Sequence, residues 1–167
     1  GHPTATTVNA SRSAAPETAA LDARAAPLSF GPVAGIAGFH LARAAVTTQD
    51  SFQRHIAAAF DLNKVEFSLL LLVMANPGVT PKRLARALAV TAPKLTLLLD
   101  GLQARGLIQR ERNAADGRSQ HVLLTDRGRK LARDTAAAAV PMERELLGQL
   151  SRAEHAMLIE LLGKLAG

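Results

Sequence analysis

From about Pro32 onward the apolar positions of this chain recur at helical intervals. Phe39, Val46 and Phe52, extended by Ile36 and Ile56, mark one face of a first long helix expected over Val33 to Phe60. A break at Asp61-Leu62-Asn63 leads into VEFSLLLLVMA, which is apolar on most sides and therefore reads as a helix buried in the middle of the domain. Asn76-Pro77-Gly78 stops it. Thr80 followed by Pro81 is a helix entry, a capping side chain and then a ring whose missing N–H has no partner to lose. The short helix PKRLARALA turns Leu84 and Leu88 inward, Val90-Thr91 is a turn, and Thr91 is placed to cap APKLTLLLDGLQARG. There Leu95, Leu98, Leu99 and Leu102 form an i, i+3, i+4, i+7 stripe, closed by Arg105-Gly106.

The period then changes. LIQRER and HVLLT read as two short strands joined by NAADGRSQ, with Asp116-Gly117 supplying the turn. Thr125 caps a further helix, DRGRKLARDTAAAA, expected to kink or break at Pro141 before continuing as MERELLGQL. Ser151 and Glu154 form a capping box at the start of a last helix with Met157, Leu158, Leu161, Leu162 and Leu165 on one face. Two short helices across a tight turn, followed at once by a two-stranded ribbon, predict a winged helix-turn-helix. The fold class is mainly α with a small two- or three-stranded β-wing. Residues 1–28, rich in Ala, Thr, Ser and Pro, read as a mobile arm with a short helix near PETAALDARAA. The organisation expected is an arm over 1–30, an N-terminal helix over 31–62, a winged lobe over 63–125, and C-terminal helices over 126–167.

Charge sharpens this. Residues 80–133 hold twelve Lys/Arg against four Asp/Glu, so a central surplus of eight positive charges sits within a chain whose net charge is only +6. A polyanion is the natural partner of such a segment. The chain has no cysteine, which excludes disulfides and thiolate metal sites. The apolar run LLLLVMA is too short to span a bilayer, and no secretory signal precedes it, so a cytoplasmic, membrane-free protein is expected. The five histidines lack metal-ligand spacing, and neither a phosphate loop nor a nucleophile elbow is present. No enzyme, metal or cofactor is expected.

Residues 64–133 resemble the MarR family of bacterial transcriptional regulators. The resemblance rests on LLLLVMANPGVTPKRLARALAVT, on KLTLLLDGLQARGLIQRER and on DGRSQHVLLTDRG. The family's wing signature, Asp-x-Arg and then Leu-Thr-x-x-Gly, falls on Asp116, Arg118, Leu124, Thr125 and Gly128. The resemblance implies a homodimer of roughly triangular shape, based on the first and last helices, that represses nearby genes from a pseudo-palindromic operator in double-stranded DNA. It also implies release by a small aromatic or phenolic acid bound between lobe and dimerisation region.

On that reading the helix from Ala92 to Ala104 enters the major groove, presenting Ala92, Pro93, Lys94 and Thr96, with Leu97. The family often carries arginine or another polar residue where Ala92 and Leu97 stand, so the direct base contacts expected here are few: Lys94, Thr96 and an apolar contact of Ala92 or Leu97 with a thymine methyl. Sequence reading would then rest more on groove shape. Arg118 would enter a narrow minor groove. Asp116 would hold Arg118 or another arginine, and Arg110, Arg112, Ser119, Lys82 and Arg83 would meet phosphates. His40 and Arg43, one turn apart, would suit a carboxylate effector. The rival class is a winged helix that binds protein in place of DNA.

Overall fold

In the computed structural model, residues 27–167 are described. The expected arm and its short helix lie almost wholly outside them. The chain divides after His40 into two compact units. In the first, a 3₁₀ turn over Gly31–Gly35 ends at Ile36, whose extended backbone separates it from the helix that follows. The helix expected from Val33 therefore starts later. The rings of Phe30 and Phe39 meet edge-on at 5.5 Å.

Helix α1, Ala37–Phe52, runs on through a π-helical turn, Gln53–Ala57, into a last turn, Ala58–Phe60. The extra residue in the π turn is registered by the Ala58 N–H reaching back to Gln53 O. Within this turn Arg54 and His55 both pair with Glu145, and His55 Nε2 lies 3.2 Å from Glu145 Oε2. The Arg54 guanidinium holds the Glu145 carboxyl below its usual range.

Helix α2, Lys64–Ala75, begins at a full capping box. The Asn63 side chain accepts from the Val65 and Glu66 N–H groups, and the Glu66 carboxylate accepts from the Asn63 N–H. Helices α3, Pro81–Ala87, and α4, Ala92–Ala104, form the helix-turn-helix. Thr80 caps α3 as expected. Thr91 occupies the capping position of α4 but makes no side-chain cap bond. In the turn between them Ala89 takes a left-handed backbone, φ +51°.

Strands β1, Ile108–Arg112, and β2, Gln120–Leu124, pair antiparallel with Ile108 opposite Leu124 and Arg112 opposite Gln120. A single bridge from Val79 to Val122 adds the residue-long remnant of a third strand. Helix α5, Asp126–Leu147, passes through Pro141 without the break that was one of the two expectations there. The carbonyl that loses its partner to this ring belongs to exposed Ala137, where water can replace the bond. The last helix, α6, Arg152–Ala166, starts at the Ser151–Glu154 capping box.

One core joins α2, α3, α4, the ribbon and the first half of α5 through Leu69, Leu70, Val73, Leu84, Leu95, Leu99, Leu102, Ile108, Val122 and Ala132. Each leucine removed from water there contributes about 1.5–3 kcal/mol, which fixes the rotation of α4 about its axis. At the ribbon exit, Gly128 lies so close to the Leu107 carbonyl that a Cβ would stand 1.9 Å from the oxygen. A smaller cluster packs Phe52, Ile56 and Met142, with Phe67 edge-on to Phe52 at 5.6 Å. By contrast, Met157, Ile159, Leu161, Leu162 and Leu165 of α6 stay exposed in the single chain. No helix among the described residues is long and apolar enough to cross a membrane.

Candidate nucleic-acid interface

Burial of Leu95, Leu99 and Leu102 turns the opposite stripe of α4 outward. At 100° per residue that stripe runs through Pro93, Leu97, Asp100 and Ala104, flanked by Lys94 on one side and Thr96 on the other. Ala92, Pro93, Lys94 and Thr96 are all exposed. Lys94 makes no hydrogen bond or ion pair among the described residues, whereas the Thr96 hydroxyl donates back to Ala92 O at 3.1 Å. Asp100 is the one acid on the stripe, and it is answered: Arg110 Nη2 lies 2.7 Å from its Oδ1.

Arg110 therefore does something sequence alone did not suggest. Its Nε also donates to Gln103 Oε1 at 2.7 Å, so the guanidinium fork ties β1 to the outer side of α4. Neither Asp100 nor Gln103 had stood out in the sequence, because their link to Arg110 is made across the corner between helix and strand.

The wing loop is organised around two side chains. Asn113 Oδ1 accepts from the Ala115 N–H, and its backbone N–H donates to Ser119 O. Asp116 Oδ1 accepts from the N–H groups of Arg118, at 3.1 Å, and Ser119, at 3.0 Å. The Ser119 hydroxyl, 3.0 Å from both carboxylate oxygens, has its proton committed there. These bonds, the two amides first, hold the Asp116 carboxyl below its ordinary value. Asp116 thus holds Arg118 through its backbone N–H and orders the turn beneath it. The guanidinium of Arg118 is exposed and without a partner among the described residues, as is that of Arg112 at the end of β1.

Lys82 and Arg83 occupy the first turn of α3, exposed and outside any ion pair among the described residues. His121, missed by sequence reasoning, anchors β2 through Nδ1 to Gly78 O at 2.7 Å. His40 is exposed with Nε2 2.8 Å from Ala34 O, and Arg43 is exposed farther along α1.

A cleft of about 710 Å³ lies where the end of α1, the start of α2 and α4 meet. Phe52, Leu62, Val65 and Leu98 give it apolar walls, and Lys64, Lys94 and Arg105 give it positive charge. Arg105 Nη2 donates to Asp61 O at 2.7 Å, with Glu66 Oε1 3.7 Å from its Nη1.

Comparison with known proteins gives the following. A model of the MarR family matches residues 60–119. The transcriptional regulator HosA of Escherichia coli O157:H7 is 33% identical over 122 residues, covering 68% of this chain and 87% of HosA. The transcriptional repressor CouR, solved bound to a 23-mer DNA duplex, superposes with a TM-score of 0.77 at 32% identity, covering 84% of this chain and 99% of that one. CouR has also been solved with p-coumaroyl-CoA, at 30% identity, a TM-score of 0.71 and coverage of 84% and 98%. BpsR of Bordetella bronchiseptica, whose DNA binding is regulated by 6-hydroxynicotinic acid, is 25% identical with a TM-score of 0.69, covering 78% of this chain and 98% of BpsR.

Proposed function

We propose, from the premise that this chain belongs to the MarR family of transcriptional regulators, that it is a homodimeric repressor that binds duplex DNA and is released by a small aromatic acid or its thioester. The observation that carries the DNA reading is the pairing of an outward, acid-neutralised α4 with a wing whose backbone is ordered while the Arg118 side chain stays exposed, with no partner among the described residues. In this arrangement α4 enters the major groove and Arg118 the neighbouring minor groove, where a narrow A·T tract concentrates negative potential. Lys82, Arg83, Lys94 and Arg112 meet phosphates, which set register without reading sequence. Arg110 and Ser119 act from behind, by holding α4 and the wing.

The exposed leucines of α6 supply the reason for a dimer, because a contiguous apolar face of that size calls for a partner. Two-fold symmetry then makes the operator pseudo-palindromic. We place the effector in the cleft of Phe52, Leu98 and Lys94, where apolar walls lie beside a lysine that has no partner among the described residues. Apolar walls suit an aromatic ring and the cations suit a carboxylate or phosphate. The relatives bound to p-coumaroyl-CoA and regulated by 6-hydroxynicotinic acid support that ligand class.

The test is a titration of the purified chain with its own promoter fragment at several salt concentrations. Specific binding should weaken steeply, with log K falling by about 0.9 per phosphate neutralised in log salt. Hydroxylated aromatic acids and their CoA thioesters, added to the complex, should release the duplex. A monomer that binds no duplex would return the protein to the protein-binding winged helices.

A further inference from the structure

Among the described residues Leu97 is the one exposed large apolar side chain between residues 61 and 139. It is 73% exposed, and the others stand on the first and last helices, on the segment before α1, on the second half of α5 or in the loop that follows it. Its position is central to the outward stripe of α4, one turn after Pro93, between Lys94 and Thr96, on the lobe that carries most of the positive charge. Of the polar groups around it, Lys94 is exposed and without a partner among the described residues, and the others have little to donate to a base edge. The Thr96 hydroxyl proton is committed to Ala92 O, Asp100 to Arg110, and Ala92 and Pro93 carry no side-chain donor or acceptor.

We infer that Leu97 reads thymine, by packing on its C5-methyl group in the major groove, and that this contact is a principal determinant of which duplex the protein selects. The inference rests on the DNA-binding reading above. The thymine methyl is the apolar group that base pairs display on the major-groove edge, so it is what an exposed leucine can recognise there without stranding a polar partner. Burying one methyl against an aliphatic side chain amounts to about fourfold in affinity. Arg118 favours A·T pairs through groove width in the adjacent minor groove. The two elements thus select the same base composition by different physics.

Uracil separates them, because it lacks the methyl while presenting the same minor-groove edge. The experiment selects a binding site from a random duplex library with the full chain, then replaces its thymines one at a time by uracil. Affinities of the wild-type chain and of Leu97→Ala, confirmed folded by circular dichroism, are measured by fluorescence anisotropy. At least one thymine in each half-site should lose about fourfold on replacement, and Leu97→Ala should bind the thymine and uracil versions of that position equally. Equal wild-type affinity for every uracil duplex, or a thymine preference that survives in Leu97→Ala, overturns the inference while leaving DNA binding intact. A library from which no duplex is enriched removes the DNA-binding reading itself, and this inference with it.

Discussion

Arg110 reaches back from β1 to lie 2.7 Å from Asp100 on the outer stripe of α4. A carboxylate on that stripe would face phosphates, and the arginine cancels it. Arg110→Ala should lower duplex affinity about tenfold at low salt. Adding Asp100→Asn should recover most of that loss. Were Arg110 itself a phosphate ligand, Asp100→Asn would change affinity equally with and without Arg110, so anisotropy titrations of the two single variants and the double variant distinguish the roles.

Gly128 tests the packing of the ribbon against α5. A methyl there would meet the Leu107 carbonyl, and backbone cannot swing aside as a side-chain tip can. Gly128→Ala should destabilise the lobe by about 2–3 kcal/mol in urea unfolding. An unchanged midpoint would mean that this approach is looser than described.

Ala89 gives the opposite sign. Its left-handed backbone is one that glycine adopts without the Cβ penalty. Ala89→Gly should raise stability by about 0.5–1 kcal/mol, read as a higher urea midpoint at unchanged slope. A loss of stability would show that the methyl packs usefully in the turn.

The wing turn should be acid-sensitive only at low pH. Amides of Ser119 and Arg118 depress the Asp116 carboxyl below its ordinary 3.8. A depressed carboxyl contributes fully above its unfolded value and is lost as pH falls through its folded one. The amide resonances of Arg118 and Ser119 should therefore hold steady from neutral pH down to about 4 and move together below that. A midpoint above 3.8 would contradict the hydrogen-bonded turn.

Arg118→Ala, with the ribbon intact, should weaken operator binding by about 1–3 kcal/mol. The loss should shrink on duplexes whose flanking A·T tract has been replaced by G·C, since the wider groove gives the arginine less to gain. Equal losses on both duplexes would assign Arg118 to phosphate alone.

Local chemistry explains how much could be read from the chain itself. Thr80, Thr125 and Ser151 cap helices because a side-chain oxygen beside free N–H groups needs no tertiary help. The Asn63–Glu66 box has the same logic and was legible, though the segment reads first as a break. The π turn after Phe52 has no local signature, and the partner that Arg54 and His55 meet from it, Glu145, lies some ninety residues away in sequence. The site divides likewise. Exposed Arg118 and Lys94 follow from pattern and charge, whereas the tasks of Arg110 and Ser119 depend on partners that only the folded corner and loop bring to them.

The bridge between Val79 and Val122 makes the root of the wing part of the helix-turn-helix. Val122 is fully buried, so sliding the ribbon by one residue would turn it to water and put a neighbour of opposite orientation into the core. Register is thereby fixed at the root, and variation in how far the tip extends falls beyond it, at the ends of the two strands and in residues 113–119. Among relatives that keep this bridge, the lobe should tolerate insertion at that tip alone, and grip differently spaced grooves with an unaltered base.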